Sequence, residues 1–251
     1  MLVKPMYKLL ETDGGTMRAD IVSRLLPLSL DEAINTARDA LLSHQQQDGH
    51  WVYELEADCT IPAEYILMNH FVGEIDEPLE RKIAAHLRSI QDEHDGWSLY
   101  HGGSFDLSCS VKAYYALKLV GDDPNEEHMV RARNAILNHG GASNCNVFTR
   151  IALALFGQVP WRATPFIPAE IILLPKWFPF HISKVSYWSR TVMVPLFILC
   201  TLKPTAANPR GVDIRELFTI PPEDEQHYFR VTTLLSRAFL LLDHEIGRAH
   251  V

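Results

Sequence analysis

The chain has 251 residues and a mass of 28.5 kDa, enough for one large domain or two small ones. Hydrophobic residues make up 47% and charged residues 22%, which is typical of a globular protein. The formal net charge is -8 and Lys and Arg form no cluster. Nucleic acid is therefore not expected as a partner, because phosphate binding depends on clustered basic residues.

Residues 1–28 form a polar, glycine-containing lead-in without the continuous apolar core of a signal peptide. The segment that follows, "SLDEAINTARDALLSHQ", predicts a helix because Ser29 and Glu32 have the spacing of a capping box. Apolar residues then recur at helical spacing, at Leu30, Ile34, Ala37 and Leu41.

Three segments that end at Gly73, Gly121 and Gly157 indicate an internal repeat. Counted back from each glycine, positions one, two, five and six are apolar, which predicts a helix with one buried stripe and a glycine stop. The stripes are Val72, Phe71, Met68 and Leu67; Val120, Leu119, Ala116 and Tyr115; and Phe156, Leu155, Ala152 and Ile151. Outer helices are predicted between them at Pro78–Gln91 and Glu126–His139, so the fold is all-α.

Each repeat also carries a cysteine 12 to 14 residues before its glycine, at Cys59, Cys109 and Cys145. With Cys200 these make four, all far apart and without a C-x-x-C pair. We expect free, buried thiols in a reducing compartment.

The chain changes character after Pro160, where five prolines in "PWRATPFIPAEIILLPKWFPFHI" exclude one long helix. Another inner helix is predicted in "SYWSRTVMVPLFILCTL"; its apolar run, Val192 to Leu202, is too short to span a bilayer. A polar connector, "RGVDIRELFTIPPEDEQH", and a final helix over Tyr228–Glu245 complete the pattern.

Two turns share a glutamine, a glycine and a tryptophan: Gln45, Gly49 and Trp51, and then Gln91, Gly96 and Trp97. The amide can satisfy free backbone groups at a helix end, glycine permits a tight turn and the indole buries a large area. We predict that each turn clamps two helices, with the turn altered in the second copy because its glycine comes one residue later. A third copy has Gly140 and Gly141 in place of glycine and tryptophan.

This Q-x3-G-x-W pattern on helical pairs resembles the QW motif of triterpene cyclases. The segments "YHGGSFDLSCSVKAYYALKLVG", "NCNVFTRIALALFGQVPW" and "PAEIILLPKWFPF" are similar to the N-terminal half of bacterial squalene–hopene cyclases. The resemblance implies an α/α-toroid (barrel), with residues 29–251 forming a partial barrel domain truncated at its C-terminus. It also implies cyclisation of squalene to hopene or hopanol through a cationic cascade begun by the acid of a D-x-D-D motif.

No D-x-D-D occurs in this sequence, so no catalytic residue is assigned here and the 251-residue piece is expected to be inactive alone. The resemblance places Trp188 in the substrate cavity and Val185 and Met193 beside the channel through which substrate arrives. It implies no metal and no organic cofactor, a monotopic contact on the cytoplasmic side of a membrane, and leaves a homodimer open. The competing interpretation of Trp188 is an ordinary core aromatic.

Two further alternatives follow from the residues. The run "GDDPNEE" mimics a diphosphate–magnesium motif, but a single copy after a helix-ending glycine is more typical of a solvated loop. The chain as a whole could instead be a non-catalytic α/α repeat module that binds an apolar ligand or a protein partner.

Overall fold

The computed structural model describes residues 29–52, 58–165, 167, 169–179, 181–229, 233–234, 236–238 and 240–241. The chain divides into two compact units, Met1–Glu56 and Ala57–Val251. All regular secondary structure in the described ranges is helical, as predicted. The α-helices are α1 (Leu30–Ser43), α2 (Thr60–Val72), α3 (Glu77–Ser89), α4 (Leu107–Val120), α5 (Glu127–Asn138), α6 (Val147–Leu155) and α7 (Tyr187–Leu202).

The first unit contains α1 and the turn after it. Ser29 caps the helix as predicted: its hydroxyl accepts from the backbone N–H of Glu32, and the Glu32 carboxylate accepts from the N–H of Ser29. No residue of α1 is buried. The apolar stripe that contains Leu30 and Ile34 therefore faces outwards.

The core of the second unit is built around α4. This helix packs against α2, α3 and α5, and every residue from Ser108 to Leu117 is buried. A helix that is apolar or small on all sides is typical of such a central position. Lys112, buried in the middle of α4, forms an ion pair with Glu64 of α2 at 2.9 Å.

The glycine stops are confirmed, and the predicted stripes only in part. Gly73, Gly121 and Gly157 all have positive φ angles, and the N–H of each bonds back to the preceding helix. In the first stripe, however, Met68 and Val72 are more than half exposed. The reason is that α2 packs on its neighbours through the face containing Ala63, Ile66, Leu67 and His70, whereas α4 has helices on three sides.

The segment after Pro160 contains short 3-10 turns rather than a long helix, at Trp161–Ala163, Ala169–Leu173 and Ile182–Lys184. Helix α7 then begins where predicted, with Ser186 as its N-cap and Pro195 within it. No helix within the described ranges is both long enough and apolar enough to cross a membrane.

The stretch after α7 is more than the polar connector that its composition indicates. Its backbone bonds to the C-terminal ends of two inner helices, with N–H groups of residues 206–208 donating to the carbonyls of Leu155, Phe71 and His70. Ile214 and Leu217 are fully buried in the core. Residues 206–208, which lead into the connector, therefore close the C-terminal ends of these two inner helices.

The predicted helix Tyr228–Glu245 begins later than expected. Tyr228 lies in a bend, and the helical residues described here begin at Leu234. The Tyr228 hydroxyl donates to the carbonyl of Pro222 at 2.8 Å, and its own carbonyl accepts from Arg150. These contacts hold Tyr228 in the core of the second unit and outside the helix. Residues 242–245 lie outside the described residues.

Candidate functional site

The Gln91–Trp97 turn fastens α3 to α5. The indole N–H of Trp97 donates to the carbonyl of Leu87 near the end of α3 at 2.9 Å, and the indole is 1% exposed. The side-chain amide of Gln91 donates at 3.0 Å to the carbonyl of Asp95, in the turn, and at 3.0 Å to that of His128, in α5. Amide and indole thus hold two successive outer helices, as the sequence predicts.

The Gln45–Trp51 turn repeats two of these three bonds within the first unit. Trp51 donates its indole N–H to the carbonyl of Leu41 at 2.8 Å, again ten residues back. The amide of Gln45 donates to the carbonyl of Gly49 at 2.6 Å, four residues ahead, as in the other turn. The two turns differ in burial, because Trp51 is 39% exposed.

The shifted glycine does not alter the backbone of the second turn. In both turns the N–H of the residue after the glutamine donates to the carbonyl four residues on, and the carbonyl of that same residue accepts from the N–H three residues on. The left-handed position occupied by Gly49, with φ 93°, is taken in the second turn by Asp95, with φ 66°. Aspartate is among the side chains that tolerate this region.

Gly96 has a different role in the second turn. A Cβ at this position would lie 2.3 Å from the ring of Phe105 and 2.7 Å from the hydroxyl of Ser110. That hydroxyl accepts from the backbone N–H of Trp97 at 3.0 Å. Gly96 is therefore required for close packing rather than for a positive φ, and the expectation of an altered turn was wrong.

The third copy lacks a tryptophan because no side chain fits there. A Cβ on Gly141 would lie 2.9 Å from the carbonyl oxygen of Leu217. Leu217 and Thr219 of the connector thus lie directly against Gly141. The amide of Asn144 donates to the carbonyl of Gly140 at 2.7 Å.

Trp188, predicted in the substrate cavity, and Val185 and Met193, predicted beside the entry channel, lie around the start of α7 but do not share one face. Trp188 is 80% exposed, whereas Val185 and Met193 are partly buried. Met193 is on the side of α7 that contains the buried Phe197 and Cys200. Five residues separate Trp188 from Met193, so at 3.6 residues per turn their side chains leave the helix in widely different directions.

Trp188 lies on an exposed apolar face of α7. Tyr187, Val192, Ile198 and Leu202 of α7 are each between 47% and 71% exposed. Leu173 and Trp177, in the proline-rich segment, are 82% and 77% exposed. Singly exposed apolar residues are ordinary, but a group of this size indicates a surface that meets another apolar body.

A cavity of about 60 Å³ lies elsewhere, lined by Arg162, Gln226, Tyr228, Phe229 and Leu240. Pockets that hold organic ligands usually have volumes of roughly 300–1,000 Å³. This cavity is therefore too small for a triterpene.

A buried polar cluster joins α2, α3 and the connector, and no motif in the sequence indicates it. Nε2 of His70 lies 2.6 Å from Oε1 of Glu80, and Arg210 forms an ion pair with the other carboxylate oxygen at 3.2 Å. His70 and Glu80 are almost completely buried. Burial lowers the pKa of His70 despite its bond to Glu80, so the imidazole is neutral and donates to the carboxylate.

The predicted solvated loop after Gly121 contains one buried acid. Arg88 of α3 donates to both carboxylate oxygens of Asp122, at 2.8 and 2.7 Å, and His128 of α5 lies 2.8 Å from one of them. These bonds and charges hold the pKa of Asp122 below its ordinary value against the opposing effect of burial. Glu126 lies close enough to complete a set of metal-binding side chains, but the Arg88 guanidinium already neutralises Asp122. The rest of the loop is mostly exposed, as predicted.

The inner helices with glycine stops, the outer helices that alternate with them and the glutamine–tryptophan turns define an all-α protein of the helical-pair class. The chain belongs to the family described as the squalene-hopene cyclase N-terminal domain, whose model matches residues 34–250. The squalene-hopene cyclase of Schizosaccharomyces japonicus is 54% identical over 215 residues, 85% of this chain and 32% of that protein.

The relatives also include bacterial proteins. The squalene–hopene cyclase of Bradyrhizobium diazoefficiens is 58% identical over 194 residues, 77% of this chain and 29% of its own length. That of Alicyclobacillus acidocaldarius is 36% identical over 196 residues, 77% of this chain and 30% of its own length. The chain thus spans about a third of the length of the curated relatives it matches.

Proposed function

We propose that this chain supplies part of a triterpene cyclase that converts squalene to hopene or hopanol by protonation and a cationic cascade. The match to the squalene-hopene cyclase N-terminal domain over residues 34–250 is the observation that carries this proposal. The relatives reported above are named as cyclases. A non-catalytic repeat module has less support for that reason.

In this proposal the chain contributes walls and scaffold, with residues 29–251 as part of an α/α-toroid. An alkene is a very weak base, so its protonation needs a strong, positioned acid, and no D-x-D-D motif occurs in the sequence. The exposed indole of Trp188 offers a π-face that stabilises a cation once a second wall excludes water. Val185 and Met193 are proposed beside the route by which squalene arrives.

Activity is tested by joining this chain to the C-terminal two thirds of the Bradyrhizobium diazoefficiens relative and incubating each protein with squalene. Gas chromatography with mass detection should show hopene or hopanol from the joined protein and none from the 251-residue chain. Triterpene product from the purified chain alone would contradict the proposal that the acid lies outside it. A folded joined protein that leaves squalene unchanged would count against the cyclase assignment.

The role of Trp188 is tested in the same joined protein. Trp188→Ala should lower turnover or release incompletely cyclised products, whereas Trp188→Phe retains a π-face and should preserve much of the activity. Tyr100→Ala is the control, because Tyr100 is also an exposed aromatic residue, at 69%, but lies outside α7 and outside the surface proposed to contact the membrane. A wild-type rate and product profile for Trp188→Ala would rule out the cavity role.

We further propose that the chain contacts one leaflet of a membrane, on its cytoplasmic side. The exposed Leu173 and Trp177 and the exposed Leu234 and Leu241 support this, with Arg237 near the latter pair to meet anionic headgroups. Flotation with vesicles of phosphatidylethanolamine and phosphatidylglycerol should carry the chain upwards. Leu173→Glu should weaken flotation and Leu99→Glu, at another exposed apolar residue, should not; equal effects would contradict the assigned surface.

A further inference from the structure

Two buried thiols from consecutive inner helices meet in the core of the second unit. Cys59 precedes α2, and Cys109 lies in the first turn of α4, the helix against which α2 packs. The Sγ atom of Cys59 lies 3.5 Å from the carbonyl oxygen of Cys109, and the hydroxyl of Thr60 lies 3.1 Å from the Sγ atom of Cys109. Two consecutive residues of one segment therefore contact both the backbone and the side chain of Cys109.

The third cysteine of the repeat is arranged differently. The Sγ atom of Cys145 lies 3.9 Å from the carbonyl oxygen of Leu107, and its thiol interacts with the side chain of Ser108. Cys145 thus meets the backbone of Leu107 and a hydroxyl, where Cys59 meets the backbone of a residue that carries a second thiol. It provides a control of matched burial and matched position in the repeat.

We propose that Cys59 and Cys109 form a redox-sensitive dithiol that a peroxide converts to a disulfide joining the first two inner helices. The Cys109 thiolate attacks hydrogen peroxide, giving a sulfenic acid and hydroxide. The Cys59 thiol then attacks the Cys109 sulfur, and the hydroxide that it displaces takes the Cys59 proton to form water. The hydroxide from the first step takes up the proton that Cys109 lost when it ionised. In total, two thiols are oxidised and one peroxide is reduced to two waters.

The environment favours Cys109 as the attacking thiol. The neighbouring Cys59 thiol and the Thr60 hydroxyl lower the pKa of Cys109, while the neighbouring Cys109 thiol and burial raise the pKa of Cys59. Cys109 lies in the first turn of α4, where the helix dipole stabilises a negatively charged thiolate. Cys59 therefore retains its proton until the second step.

The disulfide would close a chain segment of 50 residues that includes α3 and the Gln91–Trp97 turn. Closing a segment of this length restricts the unfolded chain. The oxidised protein should therefore unfold at a higher temperature than the reduced one.

Peptide mapping of the full 251-residue chain tests the proposal. Trypsin places Cys59, Cys109 and Cys145 on separate peptides, because Arg81, Arg88, Lys112 and Arg133 lie between them. After treatment of the folded, reduced chain with hydrogen peroxide, mapping without reductant should show one cross-link, between the peptides of Cys59 and Cys109. The intact mass should fall by two hydrogens.

Two variants complete the design. Cys145→Ala should form the same cross-link at the same rate, and Cys109→Ala should form no intramolecular cross-link. Separate sulfinic acids on Cys59 and Cys109, or a mixture of pairings that includes Cys145 and matches that of the urea-unfolded chain, would overturn the proposal.

Discussion

The Gln91–Trp97 turn should be the more costly of the two turns to disrupt, and Trp97→Ala is the perturbation that measures this. Complete burial of the indole removes about 200 Å² of mostly apolar surface from water, or about 5 kcal/mol at 25 cal/mol per Å². This is an upper bound, because the unfolded chain already buries part of that area. Truncation of large buried aromatics typically costs about 3–5 kcal/mol, which is the expected loss here.

Trp51→Ala is the matched comparison, because the same bond to a carbonyl ten residues back is lost. With 39% of Trp51 exposed, the same arithmetic gives at most about 3 kcal/mol. Trp97→Phe separates area from hydrogen bonding: it keeps most of the apolar surface and leaves the Leu87 carbonyl without its donor, at a cost of about 1–3 kcal/mol.

Urea unfolding followed by far-UV circular dichroism measures all three free energies of unfolding, provided that the transition is cooperative. Trp97→Ala is expected to be the most destabilising, with the other two substitutions below it. A Trp51→Ala loss equal to or greater than that of Trp97→Ala would refute the argument that burial decides the cost. An unchanged stability for Trp97→Ala would refute the clamp itself.

Three further outcomes are expected of the 251-residue chain. Gly96→Ala should destabilise the chain by about 1–3 kcal/mol, because the new Cβ meets the ring of Phe105. Gly49→Ala should cost about 1 kcal/mol, from its positive φ alone. Equal losses in urea unfolding would contradict the different roles assigned to these two glycines. The free energy of unfolding should fall as the pH drops below the ordinary histidine pKa of 6.5. Burial lowers the pKa of His70, so on acidification the unfolded chain takes up a proton that the folded chain does not. If the free energy of unfolding of His70→Gln shows the same pH dependence, His70 is excluded as the cause. Trp188→Ala should change the stability of the chain by no more than about 0.5 kcal/mol, because the indole is 80% exposed, and a larger change would place it in the core.

The sequence alone determined the features that depend on neighbouring residues. The capping box of Ser29 and Glu32, the glycine stops and the N-cap at Ser186 are local arrangements of backbone and side chain, so a few residues suffice to specify them. The spacing of glutamine and tryptophan likewise specified the bonds within each turn, because their donors and acceptors are at most ten residues apart; the bond from Gln91 to His128, 37 residues away, depends on helix packing.

Only the tertiary structure decided what depends on distant segments. The spacing indicates that Gly96 is a displaced turn glycine, whereas in the structure Phe105 occupies the space beside it. The sequence predicts that Asp122 is solvated, whereas in the structure Arg88, 34 residues away, pairs with it. His70 and Glu80 carry no signal of their own, since a buried histidine–glutamate pair is specified by the packing of α2 on α3 and by an arginine from the connector. Long-range contacts such as these depend on how helices pack, and sequence spacing records only which residues share a face of one helix.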